Sequence, residues 1–234
     1  MTGAHPGPEG AGRVVAVCLA AAAVQVDMGR RTASTGIAKV PVNGSVEVRA
    51  PGDRRHGAGS GLVGDVVVDH RDHGGDDQAV YAYAQEDLDH FAALMGRSLT
   101  PGVFGENLTT VGVDVSGAVV GERWRVGATL ELVVRSPRIP CGVFRAWMGQ
   151  PGWLKMFTDE GLPGTYLAVA VPGQVQAGDS VIVTHRPRHG VRISDLYRAS
   201  MGEPERWPDL LARASDDLDE TTRQTAAEAM GRLS

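Results

Sequence analysis

The segment VGVDVSGAVVGERWRVGATLELVV (residues 111–134) carries three valine-rich runs, at 111–120, 123–126 and 129–134, divided by glycines. Short β-branched runs punctuated by glycine read as successive strands of an antiparallel sheet. The same texture extends both ways, at 14–26, 62–68, 166–171 and 180–184. Runs 37–42 and 45–49 flank Asn43-Gly44; Asn-Gly between such runs signals a two-residue hairpin, because a type I′ turn needs positive φ twice. The stretch 52–61 (GDRRHGAGSG) reads as a flexible loop.

The period changes at 83–95. Leu88, Phe91 and Leu94 fall at i, i+3 and i+6 with Glu86, Asp87 and Asp89 opposite, an amphipathic helix ended by Gly96. Pro151 opens a short helix reaching about Asp159, with Trp153 and Phe157 as core residues. Beyond His189, three short helices follow: one capped by Ser194, then 208–214 and 218–230. The pattern gives a mainly β protein with some α, an antiparallel barrel or sandwich with a few helices laid over it. Its expected parts are a disordered tail at 1–12, a β domain at 13–187 and a helical extension at 188–234.

The 234 residues suffice for a sizeable core, and 42% hydrophobic with 22% charged residues is a globular balance. Lys and Arg number 23 against 28 Asp and Glu, a net charge of −5, which offers no broad basic face for nucleic acid. The apolar run VVAVCLAAAAV (14–24) is far short of the roughly 20 residues a bilayer requires, and no clear cleavage site follows it. Two cysteines, Cys18 and Cys141, make no disulfide framework. The expectation is a cytoplasmic chain without membrane or nucleic-acid partners.

Three stretches carry chemistry. DHRDHGGDD (69–77) sets His70 and His73 among four aspartates, either a divalent-metal site or a solvated charged loop. Gly74 and Gly75 bring backbone close to something, a phosphate or another strand. RSPRIPCG (135–142) stiffens the chain with two prolines and places Arg135 and Arg138 near the Cys141 thiol, favouring the thiolate that binds metals and attacks electrophiles. Cys18, inside an apolar strand, reads as a small buried hydrophobe. FGENLT (104–109) reads as a turn entering a strand, with Glu106 and Asn107 as loop polar residues.

These stretches, in this order, resemble the MOSC domain, named for the C-terminal domain of molybdenum cofactor sulfurases, in its stand-alone bacterial YiiM-like branch. The resemblance runs through TGIAK (35–39), VPV (40–42), GLVGD (61–65), HGG (73–75), AVYAY (79–83), GVFGENLT (102–109), GERWRV (121–126), SPRIPC (136–141) and Gly178-Asp179, with the helical tail matching that branch's three-helix extension. It implies a β-barrel and a pterin-based molybdenum cofactor, with Cys141 ligating the metal through a soft thiolate. It implies reduction of N-hydroxylated compounds such as hydroxylaminopurines, with electrons from a separate donor protein, since no flavin, haem or iron–sulfur motif is evident. On that resemblance Lys39, Arg138 and the Gly74-Gly75 backbone would face the anionic cofactor and Ser136 would line its site. His73 would bond the pterin or the substrate, and Asn107 would order the cofactor loop. A small-molecule substrate is expected, and a homodimer is compatible.

The sequence departs from the family pattern where a basic residue often follows Pro-Asp; here the run is Asp76-Asp77-Gln78. It departs again at Ala168, often arginine. Two other readings use the same cysteine: a carrier that passes cofactor or sulfur without turnover, and a biosynthetic enzyme working on another metabolite.

Overall fold

The structure, a computed structural model, describes residues 11–232. Of the expected N-terminal tail, residues 1–10 lie outside the described residues, and Gly12 already opens strand β1 (Gly12–Leu19). The chain continues through β2 (Val24–Asp27), β3 (Thr32–Thr35), β4 (Val40–Pro41), β5 (Val46–Val48), β6 (Val80–Ala84) and helix α1 (Gln85–Met95). Then come β7 (Leu108–Val111), β8 (Arg123–Val126), β9 (Leu130–Pro137), α2 (Gly142–Met148), α3 (Trp153–Glu160), β10 (Thr165–Val171), β11 (Gly173–Val175) and β12 (Ser180–His185). Helices α4 (Ile193–Met201), α5 (Trp207–Ala214) and α6 (Glu220–Gly231) finish it.

Seven strands close into a barrel in the order β12-β8-β9-β10-β6-β7-β1, with β1 returning to β12 through Gly12 opposite Val181. Closure removes the free edges of an open sheet. Every barrel pairing is antiparallel except β6 with β7, which run parallel with Ala82 opposite Leu108. The exception follows from α1, which lies between them in the chain; a helix crossover returns the chain to the same direction. The expected β-barrel with helices laid over it is what forms, with strand and helix content about equal.

Alternation fixes which residues fill the barrel. In β8, Trp124 and Val126 point in while Arg123 and Arg125 point out. Strand β6 is buried at all five positions because both its faces are covered. Val80, Ala82 and Ala84 join the barrel core, and Tyr81 and Tyr83 join a second, aromatic cluster beneath α1, α2 and α3. That cluster centres on Phe91, Phe104, Phe144, Trp153 and Phe157, with mostly edge-on or tilted rings 5.1–5.9 Å apart. Helices α4 to α6 extend the barrel core through Ile193, Leu196, Trp207, Leu210 and Ala226.

Several local expectations are corrected. No hairpin forms at Asn43-Gly44: β4 pairs with β1 and β5 pairs with β11, so tertiary partners override the turn signal. The run 14–26 breaks at 20–23 into β1 and β2, and β2 turns back as a hairpin with β3. Residues 62–68 are no strand, and of 111–120 only Val111 is in one. Leu94 is 47% exposed, although Leu88 and Phe91 are buried as expected. Ser194 lies inside α4, whose first turn is held instead by Asp195 accepting from the Arg192 N–H at 3.0 Å. The stretch 52–61 is folded: the Asp53 carboxylate accepts from the N–H groups of Arg55 and His56.

Candidate functional site

Strand β9 ends at Pro137, and the next four residues lead into α2, whose N-cap is Cys141 in extended conformation. Pro140, without an N–H donor, helps keep this segment out of the sheet. It forms one wall of a cavity of about 250 Å³, lined also by the β2–β3 hairpin, residues 65–69 and the loop at 104–107. Lys39, His73, Gly74, Asn107, Arg138 and Cys141 all border it. Gly75 and Ser136 do not: the Gly75 N–H is taken by the Gly59 carbonyl at 3.0 Å, and Ser136 faces a second cavity.

Arg138 is 7% exposed. Its guanidinium carbon lies 3.4 Å from the Phe144 ring centroid and 5.9 Å from that of Tyr81. Such stacking holds the plane without using its N–H groups. Its Nη1 is buried without a hydrogen-bond partner among the described residues. An unsatisfied buried guanidinium nitrogen is costly and points to an absent acceptor. Arg135 does not share this role: it lies across the strand, 3.3 Å from Asp77 Oδ1. Residues 135 and 138, an odd number apart on an extended chain, face opposite sides.

Lys39 is spent locally. Its Nζ lies 2.5 Å from both carboxylate oxygens of Asp65, and the two side chains are 8% and 1% exposed. Asp65 also accepts from Ala20 N, Ser60 Oγ and Asn107 Nδ2. The expected free cation facing an anionic ligand is therefore a neutralised pair in the cavity wall. Asn107 has its whole amide engaged: Nδ2 donates to Cys18 O and Asp65, and Oδ1 accepts from Tyr81 N. It ties β1, β6 and the Asp65 loop together, a positioning residue.

Gly74 and Gly75, at φ +83° and +82°, are required by another chain segment. A Cβ on Gly74 would meet Gly59 O at 2.7 Å, and one on Gly75 would meet Arg54 Cα at 2.9 Å. His73 borders the cavity, and burial, then the Arg138 charge, lowers its pKa, leaving a neutral imidazole at pH 7. His70 turns away to the Arg54 carbonyl, and no metal-competent cluster of His, Cys, Asp and Glu exists among the described residues. The metal reading of 69–77 is thus overturned.

Sequence reading missed Asp65, Tyr81 and Tyr166 as cavity residues. It also read Glu106 as a loop residue; Glu106 is fully buried, accepting from Gly102 N, Phe104 N and Thr109 Oγ1. Short-range pattern marks none of these, because their partners or neighbours are set by the fold. Of the family departures, Ala168 does not border the cavity, and Asp76 and Asp77 bond Gly52 N and Arg135; only Gln78 reaches it.

The residues present suit an anionic, sulfur-tolerant group: one thiol in the wall, one unpartnered guanidinium nitrogen beside it, and a neutral imidazole. Both cysteines are free. No described helix is long and apolar enough to cross a membrane.

Residues 69–182 match the family model of the MOSC domain. It is 27% identical to YflK of Bacillus subtilis over 164 residues, covering 70% of each chain. It is 27% identical over 134 residues, 55% of this chain, to a protein of Gibberella moniliformis named Reductase, of which it covers 23%. Its fold is similar to the crystal structure of YiiM from Geobacillus stearothermophilus, with a TM-score of 0.72, 22% identity, and 93% of this chain and 98% of that one covered.

Proposed function

We propose that the chain binds a molybdenum–pterin cofactor in the first cavity and reduces N-hydroxylated compounds such as hydroxylaminopurines, using electrons from a separate donor protein. The observation that carries this reading is that Cys141 and Arg138 share the wall of one cavity, with Arg138 Nη1 buried and without an acceptor among the described residues. The MOSC family match and the reductase-named relative support it.

Cys141 Sγ would hold the metal, since a soft thiolate suits it. When bound, the group supplies two-electron removal of an oxygen atom, so that an N-hydroxyl, two electrons and two protons become an amine and water. Arg138 binds the anionic part by charge-assisted hydrogen bonding from Nη1. The neutral His73 ring offers one N–H and one bare nitrogen, and can pass a proton to the departing hydroxyl. Tyr81 keeps its proton, because burial raises its pKa well above the usual value, and its hydroxyl is committed to Pro163 O at 2.8 Å.

The test is purification from a host that makes the cofactor, followed by elemental analysis and an assay of hydroxylaminopurine reduction with a chemical electron donor. Molybdenum in the wild type, its loss in Cys141→Ala, and turnover are expected. No molybdenum above background, or equal retention by Cys141→Ala, overturns the reading. Retained molybdenum without turnover would make the protein a carrier instead.

A further inference from the structure

Ala226 and Ala229 of α6 belong to the barrel core, but little that is polar joins this helix to the barrel. Its side-chain hydrogen bonds stay almost wholly inside the C-terminal extension. Asp219, its N-cap, accepts from the Thr222 N–H and hydroxyl. Arg223 donates to Ser215 O, Leu218 O and Glu220, Gln224 donates to Glu220, and Thr225 donates to Thr221 O. Among the described residues, one side-chain hydrogen bond of α6 leaves the extension: Arg54 Nη2 donates to Thr221 Oγ1 at 3.2 Å. A cavity of about 290 Å³ lies alongside, between Thr221 and Thr222 of the helix and Asp77, Ser136 and Pro137 of the barrel. An unfilled gap supplies no contacts across it, so packing does not duplicate the tie there.

The rest of Arg54 is spent on the wall of the first cavity. Its Nε donates to Gly74 O at 3.3 Å, and its carbonyl accepts from His70 Nδ1 at 3.0 Å. Its Cα stands 2.9 Å from where a Cβ on Gly75 would lie. One residue thus grips the turn on both sides of His73, and His73 and Gly74 both border the cavity. The Arg54 charge also reaches the His73 ring. A guanidinium suits such a joint, because its planar fork serves two partners in fixed relative directions, which an ammonium does not. Arg135 makes a second link to the extension, to Asp217 O at 3.5 Å, but its other end rests on Asp77, which does not border the first cavity.

We propose that Arg54 is a positioning residue that couples the C-terminal extension to the first cavity: Thr221 fixes the guanidinium, and the guanidinium fixes the turn that presents His73 and Gly74. Displacing the start of α6 then moves the wall of the site without touching any residue that lines it. The coupling deepens the reductase reading, as a control on its site, and rests on that reading only for what the site does.

Hydrogen exchange read by mass spectrometry, with NMR titration of the His73 ring, tests this on the full chain. Thr221→Val removes the hydroxyl and keeps the shape. Peptides covering 69–78 should then exchange about fivefold faster, the protection lost with one hydrogen bond. Thr221→Ser, which keeps the hydroxyl, should exchange like the wild type. Arg54→Met keeps the length and loses charge and donors. In it the His73 ring should titrate at higher pH, since a cation is removed and water admitted, while Arg138, Asp69 and Asp72 still face the ring. Arg213→Gln cuts the bonds of α5 to Asp209 and His189 O and should leave 69–78 unchanged. Unchanged exchange in Thr221→Val, equal acceleration in Thr221→Ser or Arg213→Gln, or a His73 that titrates alike in folded Arg54→Met and wild type overturns the coupling. If Arg54→Met fails to fold, the Thr221 pair decides. Neither measurement needs cofactor or turnover. Faster exchange in a protein that holds no molybdenum sinks the reductase and leaves the coupling standing; molybdenum with unchanged exchange does the reverse.

Discussion

Lys39 and Asp65, 26 residues apart in the chain, meet at 2.5 Å in the wall of the first cavity, with almost no solvent reaching either side chain. Burial lowers the lysine pKa, and the carboxylate acts against that shift. Such a pair stabilises little beyond its apolar equivalent, but losing one member strands the other. Asp65→Asn and Lys39→Met should each destabilise by about 3–5 kcal/mol. The double variant should lose far less than the sum, since the two act as one unit. Urea unfolding of the four proteins checks this; additive losses would refute the pairing.

The two thiols should differ sharply in reactivity. Burial, then the Glu106 charge, pushes Cys18 up to about 12, and its side chain has no exposure. Cys141 borders an open cavity. Because the thiolate is the reacting form, iodoacetamide at pH 8 should modify Cys141 in the native protein and spare Cys18 until unfolding. Peptide mass spectrometry reads both sites, and native labelling of Cys18 would contradict the burial.

Glu106 sets a pH dependence. Burial raises its pKa to about 7, against the pull of its three donors. Between the usual carboxyl pKa of about 4.5 and 7, the folded chain keeps a proton that the unfolded chain releases, so stability falls as pH rises through that window. Above it both states are ionised and this contribution is flat. Asp87, raised to about 6 by burial, adds a fall of the same sign. Glu106→Gln should therefore show a shallower decline of melting temperature from pH 4.5 to 7 than the wild type. Equal slopes would assign the titration elsewhere.

Gly74→Ala and Gly75→Ala should each destabilise by about 1–3 kcal/mol, since both positions combine positive φ with a backbone atom where the methyl must go. The segment 52–60 packs on them, so limited proteolysis should cut there faster in the variants. Unchanged melting and cleavage would show that the approach is not needed.

The barrel strands were largely legible. β8 follows its alternation, and Gly96 ends α1 as its position implies. What escaped depended on distant partners. Val40 and Val46 lie either side of a strong turn signal, but each has a better strand to join. Cys141 and Arg138 could be placed together because they are neighbours in the chain. The neutralisation of Lys39 could not be read, because nothing near position 39 announces Asp65. Helix α2 was missed because the prolines before it drew the reading toward a loop.

The hairpin of β2 and β3 stands outside the span that matches the family, yet Arg31, Ala33, Ser34 and Thr35 form one rim of the cavity. It is a self-paired ribbon rather than a stave of the barrel. Val26 of the ribbon is nonetheless buried in the aromatic cluster beside Phe144, so rim and core meet in one short piece of chain. Replacing Arg31 and Ser34 on the rim while leaving Val26 in place should alter the mouth of the pocket without loosening the wall that holds Cys141 and Arg138.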